Sequence, residues 1–304
     1  MKTKTSGYIV ILAASLMLAG FVFYFFAIAP ANQLGQSNKA LAATINQSVT
    51  TQPTPAVAKV ASSVVTAETD NTAEYNKELA GLISNWAKDQ PAYGHWGIAV
   101  RGLNGTTLEA SYQGDTVFQS ASIYKLYMIY ALSQTVPTSQ WSQKTPGDYR
   151  SINDCVAAML ERSDNACGTA ISNWLGWVKS QAKIEKAGYT HTTLDLSPVS
   201  TTANDTLKFM ADLYNGVTFK PELRQTMIDD MQKSIFRHGI VAGCPDCTVA
   251  NKTGNLNGYD NDAAIVTVDD KTFALSIFSK GGNGRQIATI TSLIQNYIRS
   301  HPTI

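Results

Sequence analysis

At 304 residues the chain has room for one large domain or two small ones once non-globular ends are set aside. Its composition, 44% apolar and 15% charged, is that of a packed domain and excludes a wholly disordered chain. The formal net charge is +1 and no basic block occurs, so nothing points to a nucleic-acid surface, and the balance only weakly favours a small-molecule or neutral-polymer substrate.

Lys2 and Lys4 precede an uncharged run from Tyr8 to Ala29. Roughly 20 apolar residues cross the hydrocarbon core as a helix, so residues 1–29 are expected to form a cytoplasmic tip and a transmembrane signal-anchor. The lysines would stay inside and direct the rest outward, giving a single-pass cell-membrane protein with an extracytoplasmic domain. A cleavable signal peptide ending at Ala27-Ile28-Ala29 is the competing reading and would yield a secreted protein. Pro30, directly after that cut, argues for the uncleaved anchor. Residues 30–70, rich in Ala, Gln, Thr, Ser and Val, read as a flexible extracytoplasmic linker that cannot bury enough surface to fold alone. The folded domain is placed at 71–304.

Tyr75, Leu79, Leu82, Ile83 and Trp86 recur at helical spacing and predict an amphipathic first helix. Trp96–Val100 and Leu108–Tyr112 flank Asn104-Gly105, a strong hairpin signal. From residue 122 to about 240 the patterns are mainly helical. Strands return at Thr248–Ala250, Ala263–Val268 and Phe273–Phe278, the last two joined by an Asp269-Asp270-Lys271 turn. A closing helix carries Ile287, Ile290, Ile294, Tyr297 and Ile298 on one face. This order predicts an α+β sandwich: an antiparallel sheet from both chain ends, covered by the terminal helices, with an all-helical subdomain between and a cleft where they meet.

Four cysteines, Cys155, Cys167, Cys244 and Cys247, form an even set that outside the cytoplasm points to disulfides. The Cys244-Pro245-Asp246-Cys247 run also fits a redox pair or half a zinc site, but no His pair or second C-x-x-C supplies the other zinc ligands. No metal and no cofactor is expected.

Three short motifs carry chemistry. In Ser122-Ile123-Tyr124-Lys125, residues three apart at a helix start share a face, placing the Lys125 amine beside the Ser122 hydroxyl. Helix N-terminal N–H groups favour an incipient anion there, and burial with a second cation would let Lys125 act as a base. The same spacing occurs at Ser180-Gln181-Ala182-Lys183, so alone it says little. Ser163-Asp164-Asn165, between two helical patterns, and Lys252-Thr253-Gly254, at the end of the strand beginning at Thr248, each occur once. Together and in order, the three are far from chance.

The ordered set S-x-x-K, S-D-N, K-T-G resembles the signature of class A β-lactamases and penicillin-binding proteins. Asp115–Phe118, Thr201-Thr202 and the closing hairpin and helix are similar to landmarks of the class A enzymes, so the resemblance covers about residues 72–300. It implies a β-lactamase/transpeptidase-like fold and an acyl-enzyme on Ser122, with Lys125 accepting or relaying the proton. It implies that Ser163, helped by Lys252, passes a proton to the leaving nitrogen, and that Asn165 binds the acyl-side amide. Lys252 and Thr253 would hold the substrate carboxylate, and Gly254 would let the substrate lie close to the backbone. The N–H groups of Ser122 and Asn255 would form the oxyanion hole, and Asp164 would tie its loop together.

The sequence departs from that family in three places. No Glu-Pro-x-x-Asn-type stretch supplies the glutamate that activates the deacylating water. Between Asn165 and Thr201 the acidic residues are Glu185, which reads as a surface charge, and Asp195, in a shortened loop. Asp195 is the candidate base, against a turn residue as the plain alternative. The Ser122–Ser163 interval is short, so the helical subdomain is trimmed and only Trp141 or Tyr149 is left to serve as the rim aromatic. Asn261 and Asp262 stand where many members carry an arginine, leaving Arg237 or His238 as substitutes. Three functions fit: a β-lactamase-like hydrolase with slow deacylation, a D,D-peptidase acting on D-Ala-D-Ala-type peptides of peptidoglycan, or a tethered β-lactam or peptidoglycan sensor without turnover. In each the catalytic domain is expected to be monomeric.

Overall fold

The computed structural model describes residues 71–301. The expected anchor over 1–29 and linker over 30–70 lie outside these residues. Among the described residues no helix is long and apolar enough to cross a membrane.

The chain opens with α1 (Thr72–Lys88), whose Leu79 and Ile83 are fully buried, then forms the hairpin β1 (His95–Leu103) and β2 (Glu109–Tyr112). Asn104 and Gly105 turn it with φ of 51° and 86°, the left-handed conformation that a two-residue turn demands. A two-residue strand β3 (Phe118–Gln119) leads through a 3-10 turn, Ala121–Ile123, into α2 (Tyr124–Ser133). The helical block continues with α3 (Ile152–Glu161), α4 (Asn165–Leu175) and α5 (Trp177–Lys186). β4 (Ser200–Thr201) pairs antiparallel with β3 and precedes α6 (Ala203–Asn215), capped by Thr202. Then come α7 (Pro221–Gln232), the single turn α8 (Ile240–Gly243), the strands β5 (Thr248–Leu256), β6 (Tyr259–Val268) and β7 (Lys271–Lys280), and α9 (Gly284–Ser300).

Among the described residues, β1, β2, β5, β6 and β7 form one antiparallel sheet in the order β2-β1-β7-β6-β5, built from both ends of the domain as expected. Its faces alternate residue by residue. Ile98, Val100, Val266, Leu275 and Ile277 pack with α1, α8 and α9, where Ile287, Ile290, Ile294 and Ile298 are all fully buried. Ala99, Ala250, Ala263, Ile265 and Phe278 pack on the helical block. Both faces are therefore dry, which is why Ala263–Val268 reads as a nearly continuous apolar run rather than an alternating one.

Two details differ from expectation. The Lys252-Thr253-Gly254 motif lies in the middle of β5, not at its end, because strand pairing with β6 continues to Leu256 opposite Tyr259. And β4, inside the helical region, pairs with β3 just ahead of it; these two-residue strands are too short to leave a pattern in sequence. The cysteines pair as Cys155–Cys167 and Cys244–Cys247. The first bridge joins α3 to the first turn of α4 across the Ser163 loop, and the second closes the turn that leads into β5.

Candidate active site

Ser122 sits in the turn before α2, half-buried, and follows Ala121 in the left-handed conformation at φ 45°. That turn is held from two sides. Asn261 of β6 donates its amide to the Gln119 carbonyl at 2.9 Å, and Ser120 N–H donates to the Val199 carbonyl at 2.9 Å. β5 then crosses directly behind Ser122. A Cβ on Gly254 would stand 2.7 Å from the Ser120 carbonyl oxygen and 3.0 Å from the Ser122 nitrogen, so only glycine lets the strand reach the Ser122 N–H.

Lys125, one helical turn on, is fully buried. Its Nζ donates to Ser122 Oγ (3.0 Å), Ser163 Oγ (3.2 Å), the Ser163 carbonyl (2.7 Å) and Asn165 Oδ1 (2.7 Å). Room for its stem exists because α4 carries glycine at 168, where a Cβ would meet Lys125 Cε at 2.9 Å. Burial lowers its pKa to about 8, with Asp164 opposing the shift. Lys252 approaches from the sheet and donates to Ser163 Oγ at 3.0 Å and to the Thr253 carbonyl at 2.6 Å. Its pKa falls to about 7, through burial first and then repulsion from Lys125, with Asp262 pulling the other way. The Ser163 hydroxyl is thus clamped between two amines, each short of a full charge near neutral pH. Such an arrangement can take a proton from Ser122 and pass it along Lys125, Ser163 and Lys252.

The Ser163-Asp164-Asn165 loop is set by its own capping. Ser163 adopts φ 56°, and Asp164 caps α4 by accepting from Cys167 N–H at 2.8 Å. Arg150 grips both Asp164 oxygens at 3.1 Å and both Asp148 oxygens at 2.9 and 2.8 Å. These hydrogen bonds hold the Asp164 carboxyl below the usual carboxylate range. Asp164 thus ties the loop both to the start of α4 and to Arg150. Arg150 is a residue that the sequence reading missed, since nothing in its spacing links it to the motif.

A cavity of about 330 Å³ opens over Ser122, lined among others by Gln119, Tyr124, Asn165, Ser197, Pro198, Asn255 and Leu256. Among the described residues no carboxylate lines it. Asp195 is exposed and outside this lining, because Thr193 and Ser200 exchange backbone hydrogen bonds that close a tight loop. Gln181 further fixes the entry limb by accepting from the Leu194 N–H at 2.6 Å. The inner limb, Ser197–Val199, lines the cavity, and Asp195 stands two residues before it, outside the lining.

Asn255 lines the cavity, and its side chain bonds to Asp260. Thr253 falls opposite Asp262 in register, and alternation turns its side chain to the face away from Lys252. β5 is nevertheless the edge strand, so a ligand along its free side meets residues of both faces. Arg237 and His238 are exposed, and Arg237 makes no ion pair or side-chain hydrogen bond to another described residue. Asp262 is buried and accepts from Ile240 N–H at 2.8 Å and Asn251 Nδ2 at 3.0 Å; burial raises its pKa to about 7. Trp141 is a core residue, 2% exposed, that donates to the Val136 carbonyl, and is not a rim aromatic. Tyr149 is exposed, with its ring against Arg150. Glu185 lies on the surface of α5, as expected.

No curated protein sequence matches this chain. Among solved structures it is similar to a mutant of PBP-A in an acyl-enzyme complex with penicillin G (18% identity, TM-score 0.62, covering 75% of this chain and 97% of that one). It is also similar to the TLA-1 extended-spectrum β-lactamase (19%, TM-score 0.64, covering 73% and 99%). A third likeness is to a representative class A β-lactamase from Bacteroides cellulosilyticus DSM 14838 (18%, TM-score 0.61, covering 74% and 99%). At these identities the likeness is one of fold. Residues 76–298 match the model of the beta-lactamase enzyme family, and the chain belongs to that family.

Proposed function

We propose that the chain is a serine acyl-transferring hydrolase whose Ser122 opens β-lactams or related D-Ala-D-Ala-type amides and whose acyl-enzyme is hydrolysed slowly. One observation carries this reading. Lys125 Nζ joins Ser122 Oγ to Ser163 Oγ, while no carboxylate among the described residues lines the cavity where a deacylating water would stand. Ser122 Oγ attacks the amide carbonyl as its proton passes to Lys125. The oxyanion forms at the Ser122 and Asn255 N–H groups, where each donor is worth about 10²–10³ in rate. Ser163, backed by Lys252, protonates the leaving nitrogen, and Lys252 with Thr253 receives the substrate carboxylate. Asn165, its Oδ1 occupied by Lys125, offers Nδ2 to the acyl-side carbonyl.

The missing carboxylate equally favours a D,D-peptidase that uses Lys125 in both half-reactions. A tethered sensor that is acylated without turnover is the limiting case. The membrane placement, through residues 8–29, is part of this proposal. Incubation of the 71–304 domain with a chromogenic cephalosporin, followed by absorbance and intact mass, tests it. One adduct per chain, absent in Ser122→Ala, is the expected result; an unmodified chain that releases no product would remove Ser122 as nucleophile.

A further inference from the structure

A second, larger groove of about 670 Å³ runs along α4, and it shares Asn165 with the catalytic cavity. Its floor is the exposed face of that helix, with Thr169 and Asn173 following Asn165 at intervals of one turn and Trp174 at the far end. Pro146 and Gly147 form the facing wall, where a Cβ on Gly147 would lie 3.8 Å from the Ala170 methyl. Among the described residues no ionisable side chain lines it. Thr169 and Asn173 make no side-chain hydrogen bond to another described residue, and neither does Asn165 Nδ2.

The geometry points to a subsite for the acyl-side arm of the substrate, an extended peptide without charged side chains; this rests on the Ser122 reading above. From Asn165 to Asn173 the helix rises about 12 Å. An extended chain spans that distance in about three to four residues. The polar groups repeat every 6 Å or so, close to the roughly 7 Å between alternate peptide groups of an extended chain. A row of amide and hydroxyl groups can therefore pair with alternate backbone peptide groups of the arm, and Trp174 supplies an apolar stop. The absence of lining charges disfavours an acidic or basic arm, since a charge there would lose water without gaining a partner. Binding energy from this remote arm would be realised as faster acylation at Ser122.

The test compares two peptidyl thioesters, one ending in N-acetyl-D-alanyl and one carrying three further uncharged residues, with thiol release as the readout. The expected ratio of kcat/KM, long over short, is about tenfold in the unaltered domain. Thr169→Trp, which fills the groove from an exposed helix position, should bring that ratio close to one, and Trp174→Ala should lower it severalfold. A ratio near one in the unaltered domain, or one that Thr169→Trp leaves intact, overturns the subsite. A larger gain from a saccharide arm of equal length overturns the peptide assignment. Penicillin labelling of the same samples separates the two claims: no adduct on Ser122 sinks the functional reading and the subsite with it, whereas an adduct with a flat response to arm length removes the subsite alone.

Discussion

The two walls of the catalytic cavity are built differently. On the wall formed by α2, the Ser163 loop and β5, the polar groups around Ser122 are tightly held: two buried lysines share the Ser163 hydroxyl, Arg150 fixes Asp164, and Gly254 admits the strand to Ser122. On the opposite wall the loop from Thr193 to Ser200 presents Ser197, Pro198 and Val199, with no group that could deprotonate a water. The first wall carries the groups that the proposed acylation uses. The second only encloses the cavity. This contrast is what the proposed acylation with slow deacylation rests on, and it can be broken or sharpened one wall at a time.

Removing the amine that joins the two serines should have the largest effect. Lys125→Ala is expected to slow acylation by penicillin about 10³–10⁴-fold, the upper range for loss of a general base, as read by stopped-flow labelling. Gly254→Val comes next. Its side chain must displace the Ser120 carbonyl or the Ser122 N–H, and an acylation loss of about 10²–10³ follows from a disordered oxyanion hole. On the other wall, Ser197→Glu places a carboxylate in the cavity. Deacylation should accelerate by about tenfold or more with acylation little changed, and an unaltered adduct lifetime would show that this wall does not control water.

The Cys155–Cys167 bridge closes a short loop around the Ser163 motif. The double variant Cys155→Ala/Cys167→Ala should lose about 2–4 kcal/mol of stability by denaturant titration, and the acylation rate at low temperature should fall less than in Lys125→Ala. The pH response is the smallest effect. Lys125 must be neutral to act as a base, which favours acylation as pH rises through about 8. Lys252 must be charged to hold a carboxylate, and that charge is lost as pH rises through about 7. The signs oppose, so acylation efficiency should be bell-shaped between about pH 7 and 8, with limbs that belong to the coupled pair. A substrate whose carboxylate is esterified should lose the alkaline limb.

The wall around Ser122 was largely legible in the sequence because its residues sit at short, fixed spacings. Ser122 and Lys125 share a helix turn, Ser163-Asp164-Asn165 caps a helix, and Lys252-Thr253-Gly254 lies on one strand, so each motif is local even though the site is not. The sheet was legible for a related reason: turn chemistry at Asn104-Gly105 and Asp269-Asp270 marks its hairpins. What escaped depends on partners far apart in the chain. Arg150 finds Asp164 through tertiary folding, and Asn261 reaches Gln119 across 142 positions. The loop register escaped because the bridge from Thr193 to Ser200 and the Gln181 contact decide which limb faces inward, and neither leaves a pattern. Trp141 was misplaced because a lone aromatic reads the same in a core and on a rim.

The most direct test is a rapid-mixing experiment in which the 71–304 domain meets penicillin and its intact mass is followed from milliseconds to hours. The account predicts rapid growth of a single adduct on Ser122 that reaches one per chain and then decays far more slowly than it formed. Sustained hydrolysis with the chain remaining unmodified in mass would contradict it, and would mean that the cavity contains an effective base for water after all.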